Sequence, residues 1–155
     1  MVNNPKKLVR LVLDQAGPDW YPVFKKHPRD NTPKEKYYVP HDRPYALVDT
    51  GNIHNLIDRS DAVLLINSTV GIEALMRGRR VITLGDAFYS GMGWTEDVRA
   101  VDSLTGAIER LGAEPNVPDD RKPSLASFLY WLIFCYFADP AAPDIERRMQ
   151  IACAG

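Results

Sequence analysis

Two apolar runs, Ala62-Val63-Leu64-Leu65-Ile66 and Val81-Ile82-Thr83-Leu84, constrain the fold of this chain more than any other feature. Neither alternates between polar and apolar, so each reads as a strand buried on both faces. Asn67-Ser68-Thr69 breaks the first run. Val70 to Arg77 then has helical spacing, with Ile72, Leu75 and Met76 turned inward and Gly78 placed to cap the C-terminus. Strand, helix and strand in close succession form a βαβ unit, which demands a parallel sheet, helices on its faces and right-handed crossovers.

The flanking sequence extends the alternation. Leu8, Leu11, Val12 and Gln15 mark a helix over residues 5–16 that stops at Gly17-Pro18. Tyr21 to Lys26 is a β-prone run ending at His27-Pro28, where the proline turns the chain away from helix. Residues 29–44, rich in proline and charge, read as a loop long enough to carry function. Tyr45 to Val48 reads as a strand, and Ile53, Leu56 and Ile57 as a short helix. After the loop Asp86 to Glu96, a weak strand is expected near Val98 to Val101. Asp102 or Ser103 then caps a helix carrying Leu104, Ile108 and Leu111, closed by Gly112. A proline-rich linker over 113–123 leads to a final helix over 124–138, capped by Ser124 and apolar on nearly every side. Residues 1–155 thus read as one three-layer α/β domain. Ligands of such sheets bind outside the carboxyl ends of the strands. His27-Pro28, Asn67-Ser68-Thr69 and Gly85-Asp86 all fall there and are expected to share one rim.

Composition narrows the function class. Lys and Arg number 19 against 20 Asp and Glu, a net charge of −1 that argues against a nucleic-acid partner. Cys135 and Cys153 are too few for a disulfide framework and suit a reducing compartment. Met1 to Lys7 is polar and reads as no secretory leader. The most apolar run, Phe128 to Ala138, is about half of the ~20 residues that a membrane-spanning helix needs.

Ser68 and Thr69 stand where a buried strand meets a helix N-terminus, a place attractive to anions. Two readings fit them: a helix cap, the commonest use of Ser and Thr there, and a phosphate site that draws also on amides left available by capping. Gly71 either lets a ligand approach or relieves crowding against the strand. His27, set among Lys25, Lys26 and Arg29, is either a turn histidine or the donor of a hydrogen bond or proton to a leaving phosphate. Glu73, one turn past Thr69, holds a ribose hydroxyl or stands as a solvated helix glutamate. Asp49 contacts a ligand or starts the Thr50-Gly51 turn. Ser90 to Trp94 is a flexible loop with an aromatic wall and no dinucleotide fingerprint. His41 and His54 lack partners at metal-ligand spacing, so no metal and no cofactor is expected. Arg77, Arg79 and Arg80 read as solvated surface.

Lys25-Lys26-His27-Pro28-Arg29-Asp30, Ile66-Asn67-Ser68-Thr69-Val70-Gly71-Ile72-Glu73-Ala74-Leu75 with Gly78, Val81 to Gly85, and Phe88-Tyr89 with Gly93-Trp94 resemble the capsule polysaccharide biosynthesis family over roughly residues 5–137. That family includes β-Kdo transferases that build the lipid linker of bacterial capsules. The resemblance implies a Rossmann-like parallel sheet, the C-terminal, donor-binding half of a two-domain GT-B glycosyltransferase. Related sialyltransferase-like enzymes hold the phosphate of a CMP-sugar with a His-Pro motif and a serine-rich turn. By that resemblance His27 contacts the donor phosphate and assists departure of CMP, with Lys26 and Pro28 beside it. Ser68 and Thr69, between Asn67 and Gly71, bind the phosphate, and Glu73 sits near the ribose. Gly85 and the loop from Phe88 to Trp94, Tyr89 included, border the donor pocket.

Two departures shape the expectation. The family's N-terminal half, with the catalytic carboxylates, has no counterpart here. Its C-terminal half opens with a strand ahead of the first helix, which Met1 to Lys7 cannot supply. In the usual 3-2-1-4 order that strand lies between the ones ending at His27 and Ile66. Either those two pair directly or another chain donates a strand, and open edges favour a homodimer. A fragment or short homologue is expected, binding a CMP-sugar such as CMP-Kdo but incomplete for catalysis alone. Its glycolipid or saccharide acceptor would come through the missing domain, and the setting would be cytoplasmic and peripheral to the inner membrane. A non-catalytic module binding a nucleotide or a partner is the alternative, and a UDP-sugar enzyme of the same architecture is a third. The last helix, with Phe128, Trp131, Leu132, Phe134 and Tyr136, is expected to leave an apolar patch.

Overall fold

The computed structural model describes residues 4–133, in two compact units divided after Asn116. The first runs α1 (Pro5–Gln15), β1 (Val23–Lys25), β2 (Ala46–Val48), α2 (Ile53–Asp58), β3 (Val63–Leu65), α3 (Val70–Met76), β4 (Val81–Thr83), β5 (Thr95–Asp97) and α4 (Leu104–Ala113). Short 3-10 stretches occupy Lys34–Tyr37 and Val101–Ser103. All strand pairs are parallel, as the apolar runs demanded.

The strands form two small sheets, β1-β2 and β3-β4-β5, in place of a single one. The strands ending at His27 and Ile66 therefore do not pair directly, and the first of the two ways to close the sheet is overturned. Lys26 donates its N–H to Val48 O at 2.8 Å, and Ala46 donates to Pro22 O at 3.0 Å. Strand alternation then turns the backbone groups of Val23 and Lys25 toward the open edge of β1. β4, flanked on both sides, is fully buried, whereas β3, open on one side, is fully buried only at Leu65.

Helix α1 lies against both sheets. Asn4 caps it by accepting from Lys6 N–H, and Pro5 sits in its first turn. Val9 and Leu13 form one small core with Val39, against which Phe24 of β1 and Tyr45 pack. Ala16 belongs to a second core with Ile82, Val98, Leu104, Ala107, Ile108 and Leu111, and Leu11 packs on it. With apolar neighbours on two sides, the deepest positions of α1 are Val9 and Leu13 rather than Leu8 or Val12.

Several local expectations change. The last strand is Thr95–Asp97, three residues earlier than its apolar signal, because Asp97 lies in register with Thr83 and Val98 N–H donates to Thr83 O as the ladder ends. Met76 is 57% exposed, since α3 buries Gly71, Ala74 and Leu75 before Gly78 ends it at φ 72°. Ser103 occupies the N-cap position of α4 without capping, its hydroxyl donating to Ala100 O. Gly112 lies inside α4 and makes room for the indole of Trp20. Arg80 is largely buried and pairs with Glu96 at 2.5 Å, so it is not solvated surface.

In the second unit a 3-10 turn, Asp119–Arg121, leads into α5 (Lys122–Trp131). This helix starts before Ser124, because Pro123 suits its first turn; the Ser124 hydroxyl donates to Arg121 O instead of capping. Tyr130, Trp131 and Ile133 are exposed. Phe134, Tyr136, Cys135 and Cys153, and the rest of the expected helix over 124–138, lie outside the described residues. Among the described residues no helix is long and apolar enough to cross a membrane.

A helical Gly→Ala change normally gains up to about 1 kcal/mol. At Gly112 the new Cβ would stand 2.5 Å from Trp20 Cζ2. Overpacking against a rigid indole outweighs that gain. Gly112→Ala is expected to destabilise the chain by about 1–2 kcal/mol, read by urea unfolding followed through tryptophan fluorescence.

Candidate functional site

At the end of β1 both lysines serve the backbone. Lys25 Nζ donates to Asp49 O at 3.0 Å, tying the ends of β1 and β2 together, and Lys26 Nζ donates to Thr32 O at 2.9 Å. Asp49 leads into the Thr50-Gly51 turn, where Gly51 has φ 107°. His27 and Pro28 are exposed. His27 Nδ1 accepts the Arg29 N–H at 3.1 Å, which leaves the proton of the neutral ring on Nε2, free to donate. Asp30 accepts from the Tyr37 hydroxyl and from Thr32 N–H, and these bonds hold its carboxyl at about 2. The same contact raises the Tyr37 phenol.

At the end of β3 the Ser68 turn uses up most of its own amides. Ser68 Oγ accepts Val70 N–H at 3.2 Å, Ser68 O accepts Gly71 N–H at 3.1 Å, and Thr69 O accepts Ile72 N–H at 2.9 Å. The amides of Val70, Gly71 and Ile72 are thus not available to an anion. What the turn offers instead is the Asn67 side chain and the Ser68 and Thr69 hydroxyls, with Asn67 and Thr69 exposed and Ser68 half-buried.

The crowding that Gly71 relieves comes from a side chain and not from the strand. A Cβ there would lie 2.1 Å from the Tyr89 hydroxyl oxygen, so the glycine exists to admit that ring. Tyr89 is fully buried and donates to Ser68 O at 2.5 Å. Burial pushes its phenol up to about 12, which keeps it a donor. Gly85 N–H donates to Ile66 O at 3.0 Å, and a Cβ on Gly85 would press on Ile66. Ser68, Gly71 and Tyr89 therefore form one cluster, while Gly85 packs on Ile66 at the end of the same strand.

Glu73 lies 3.6 Å from His54 Nδ1, a partner that spacing did not reveal. Arg77 Nε approaches the same nitrogen at 3.3 Å, and the Arg77 guanidinium pairs with Asp58 at 2.8 Å. This links the helices that follow β2 and β3. Among the described residues, no hydrogen bond or ion pair joins the His27 loop to the Ser68 turn. Nor do three or more His, Cys, Asp or Glu side chains there stand grouped to hold a metal ion. Two shallow grooves, of about 470 and 350 Å³, lie elsewhere, lined by Lys6, Lys7, Arg10 and Tyr38 and by Lys34, Glu35, Tyr38 and Leu47.

Asp97 escaped the sequence reading because it sits in a short polar strand. Its carboxylate accepts from Thr83 at 2.7 Å, Thr95 at 2.9 Å and Gly91 N–H at 2.7 Å. Gly91 reaches it with φ 79°. The pairing of Thr83 with Asp97 across the ladder was the only possible signal, and it requires the register.

Burial pushes the Asp97 carboxyl up, but hydrogen bonds from Thr83, Thr95, Gly91 and Ser90 outweigh it and hold the group below its ordinary value. Stability from a depressed carboxyl is complete above its unfolded value, about 4, and is lost as pH falls through the folded one. The hydrogen-exchange protection of Gly91 N–H is expected to persist to below about pH 4 and then collapse. Asp97→Asn is expected to flatten that dependence.

Residues 5–115, the stretch from α1 to the end of α4, match the family model for capsule polysaccharide biosynthesis proteins. Protein FixF of Sinorhizobium fredii (strain NBRC 101917 / NGR234) is 34% identical over 139 residues, covering 88% of this chain and 34% of FixF. The lipopolysaccharide-processing protein LpsZ of Rhizobium meliloti is 30% identical over 104 residues, 64% of this chain and 20% of LpsZ. The capsule polysaccharide modification protein LipA of Neisseria meningitidis serogroup B is 28% identical over 106 residues, 66% of this chain and 15% of LipA. The chain therefore spans about a third of the length of FixF and less of the other two. No solved structure matches it. With both strand-end clusters inside the matched residues, the chain belongs to the capsule polysaccharide biosynthesis protein family.

Proposed function

We propose that this chain is the donor-binding part of a GT-B-type capsule polysaccharide glycosyltransferase and that its ligand is a CMP-sugar, CMP-Kdo foremost. The observation that carries the reading is the Asn67-Ser68-Thr69 turn, which presents hydrogen-bonding side chains at the carboxyl end of a parallel strand. Its hydroxyls meet the donor phosphate, and the Glu73 carboxylate accepts from a ribose hydroxyl. His27 Nε2–H donates to the phosphate as the sugar–oxygen bond breaks, stabilising the charge that collects on departing CMP. The acceptor, a glycolipid or saccharide hydroxyl, and the base that activates it belong to the part of the longer relatives that this chain does not cover. The reaction is set at the cytoplasmic side of the inner membrane.

A non-catalytic module, binding nucleotide without transferring sugar, is the second reading. The divided sheet favours it, since no hydrogen bond or ion pair among the described residues joins the His27 loop to the Ser68 turn. Turnover of CMP-Kdo by the chain would exclude the module.

Calorimetric titration with CMP, and with UMP as control, tests the donor site. Selective CMP binding is expected, weakened by about 1–3 kcal/mol in His27→Ala and in Thr69→Ala, the worth of a hydrogen bond to a charged group. Preference for UMP would turn the reading to a UDP-sugar, and no binding by the folded chain would overturn it.

A further inference from the structure

We infer that Tyr89 is a positioning residue for the Ser68 turn, held in place by the Asp97 network, so that the loop between β4 and β5 sets the shape of the anion-facing turn from beneath. This rests on the donor-site reading and gives Tyr89 a role other than touching the donor.

The argument is a chain of contacts. Asp97 closes β5 and gathers Thr83, Thr95 and Gly91 N–H, which fastens the far half of the loop to the sheet. Ser90, beside Gly91, lies 3.3 Å from the Thr83 hydroxyl. The preceding residue, Tyr89, is thereby held with its ring over Gly71 and its hydroxyl on Ser68 O. Ser68 O also accepts Gly71 N–H, so one carbonyl receives both the turn's own bond and the tyrosine's.

That carbonyl belongs to the peptide group joining Ser68 to Thr69. A trans peptide is planar, and its C=O and N–H point in opposite directions. Pinning the oxygen toward the buried phenol fixes the plane, and with it the direction in which Thr69 leaves the turn. Tyr89, fully buried, is out of reach of a ligand on the rim, yet it decides where the exposed Thr69 hydroxyl stands. A phenylalanine would fill the same space and leave the plane held by the Gly71 N–H alone.

Tyr89→Phe in the full chain separates this role from packing. The protection of Gly71 N–H against hydrogen exchange is expected to fall about tenfold, the weight of one hydrogen bond. CMP affinity is expected to fall by a similar factor, with little change in Tm. Asp97→Asn, which leaves the tyrosine intact, is expected to show the same pattern more weakly. Gly71→Ala should lose both stability and affinity; adding Tyr89→Leu should restore the stability by vacating the space but not the affinity. Unchanged exchange at Gly71, or wild-type CMP affinity in Tyr89→Phe, would overturn the inference. A wild-type chain that binds no CMP, with Gly71 exchange accelerated in Tyr89→Phe, would sink the donor reading and leave the positioning role standing.

Discussion

The first unit depends on a single helix with apolar neighbours on two sides. Among the described residues no backbone ladder joins β1-β2 to β3-β4-β5, so side chains connect them, and α1 supplies many of these. Val9 and Leu13 belong to one core, while Leu11 and Ala16 belong to the other. Polar contacts reinforce the same helix at its end: Thr105 Oγ lies 3.0 Å from Gln15 O, and Arg43 donates to Ala16 O. Burial is non-directional, and it can hold two sheets whose edges are not hydrogen-bonded to each other.

Around that scaffold the candidate site divides into exposed groups and hidden supports. His27, Asn67 and Thr69 are exposed. Tyr89, Gly71, Gly85 and Thr83 are buried: Tyr89 covers Gly71 and bonds Ser68 O, Gly85 bonds Ile66 O, and Thr83 bonds Asp97. With the Val70, Gly71 and Ile72 amides used internally, the turn presents side chains that have rotamers to lose, and such support limits that loss. The Glu73–His54 contact is of a different kind: both side chains are partly exposed, so it adds little stability.

Much of the architecture was legible residue by residue. The apolar runs marked β3 and β4, the Leu104-Ile108-Leu111 spacing marked α4, and Gly78 marked the end of α3. Errors came where a residue's role depended on something distant in sequence. Gly112 looked like a helix stop and proved to be a seat for Trp20, and Arg80 looked solvated and proved to be paired with Glu96. Ser124 resembled a cap, yet the proline before it had already started the helix.

The same division runs through the site. Local order sufficed to place His27-Pro28, Asn67-Ser68-Thr69 and Gly85 at strand ends, because apolar runs and the residues that break them are properties of consecutive residues. The matched family model agrees with what those motifs suggested about membership. Only the tertiary structure decided that the sheet is divided, that Gly71 faces Tyr89, that Glu73 meets His54 and that Asp97 gathers the β4–β5 loop. Each of these is a contact between elements that strand register and helix packing bring together. Registers and packing faces are settled by burial summed over the whole unit, a quantity that no short stretch of sequence contains.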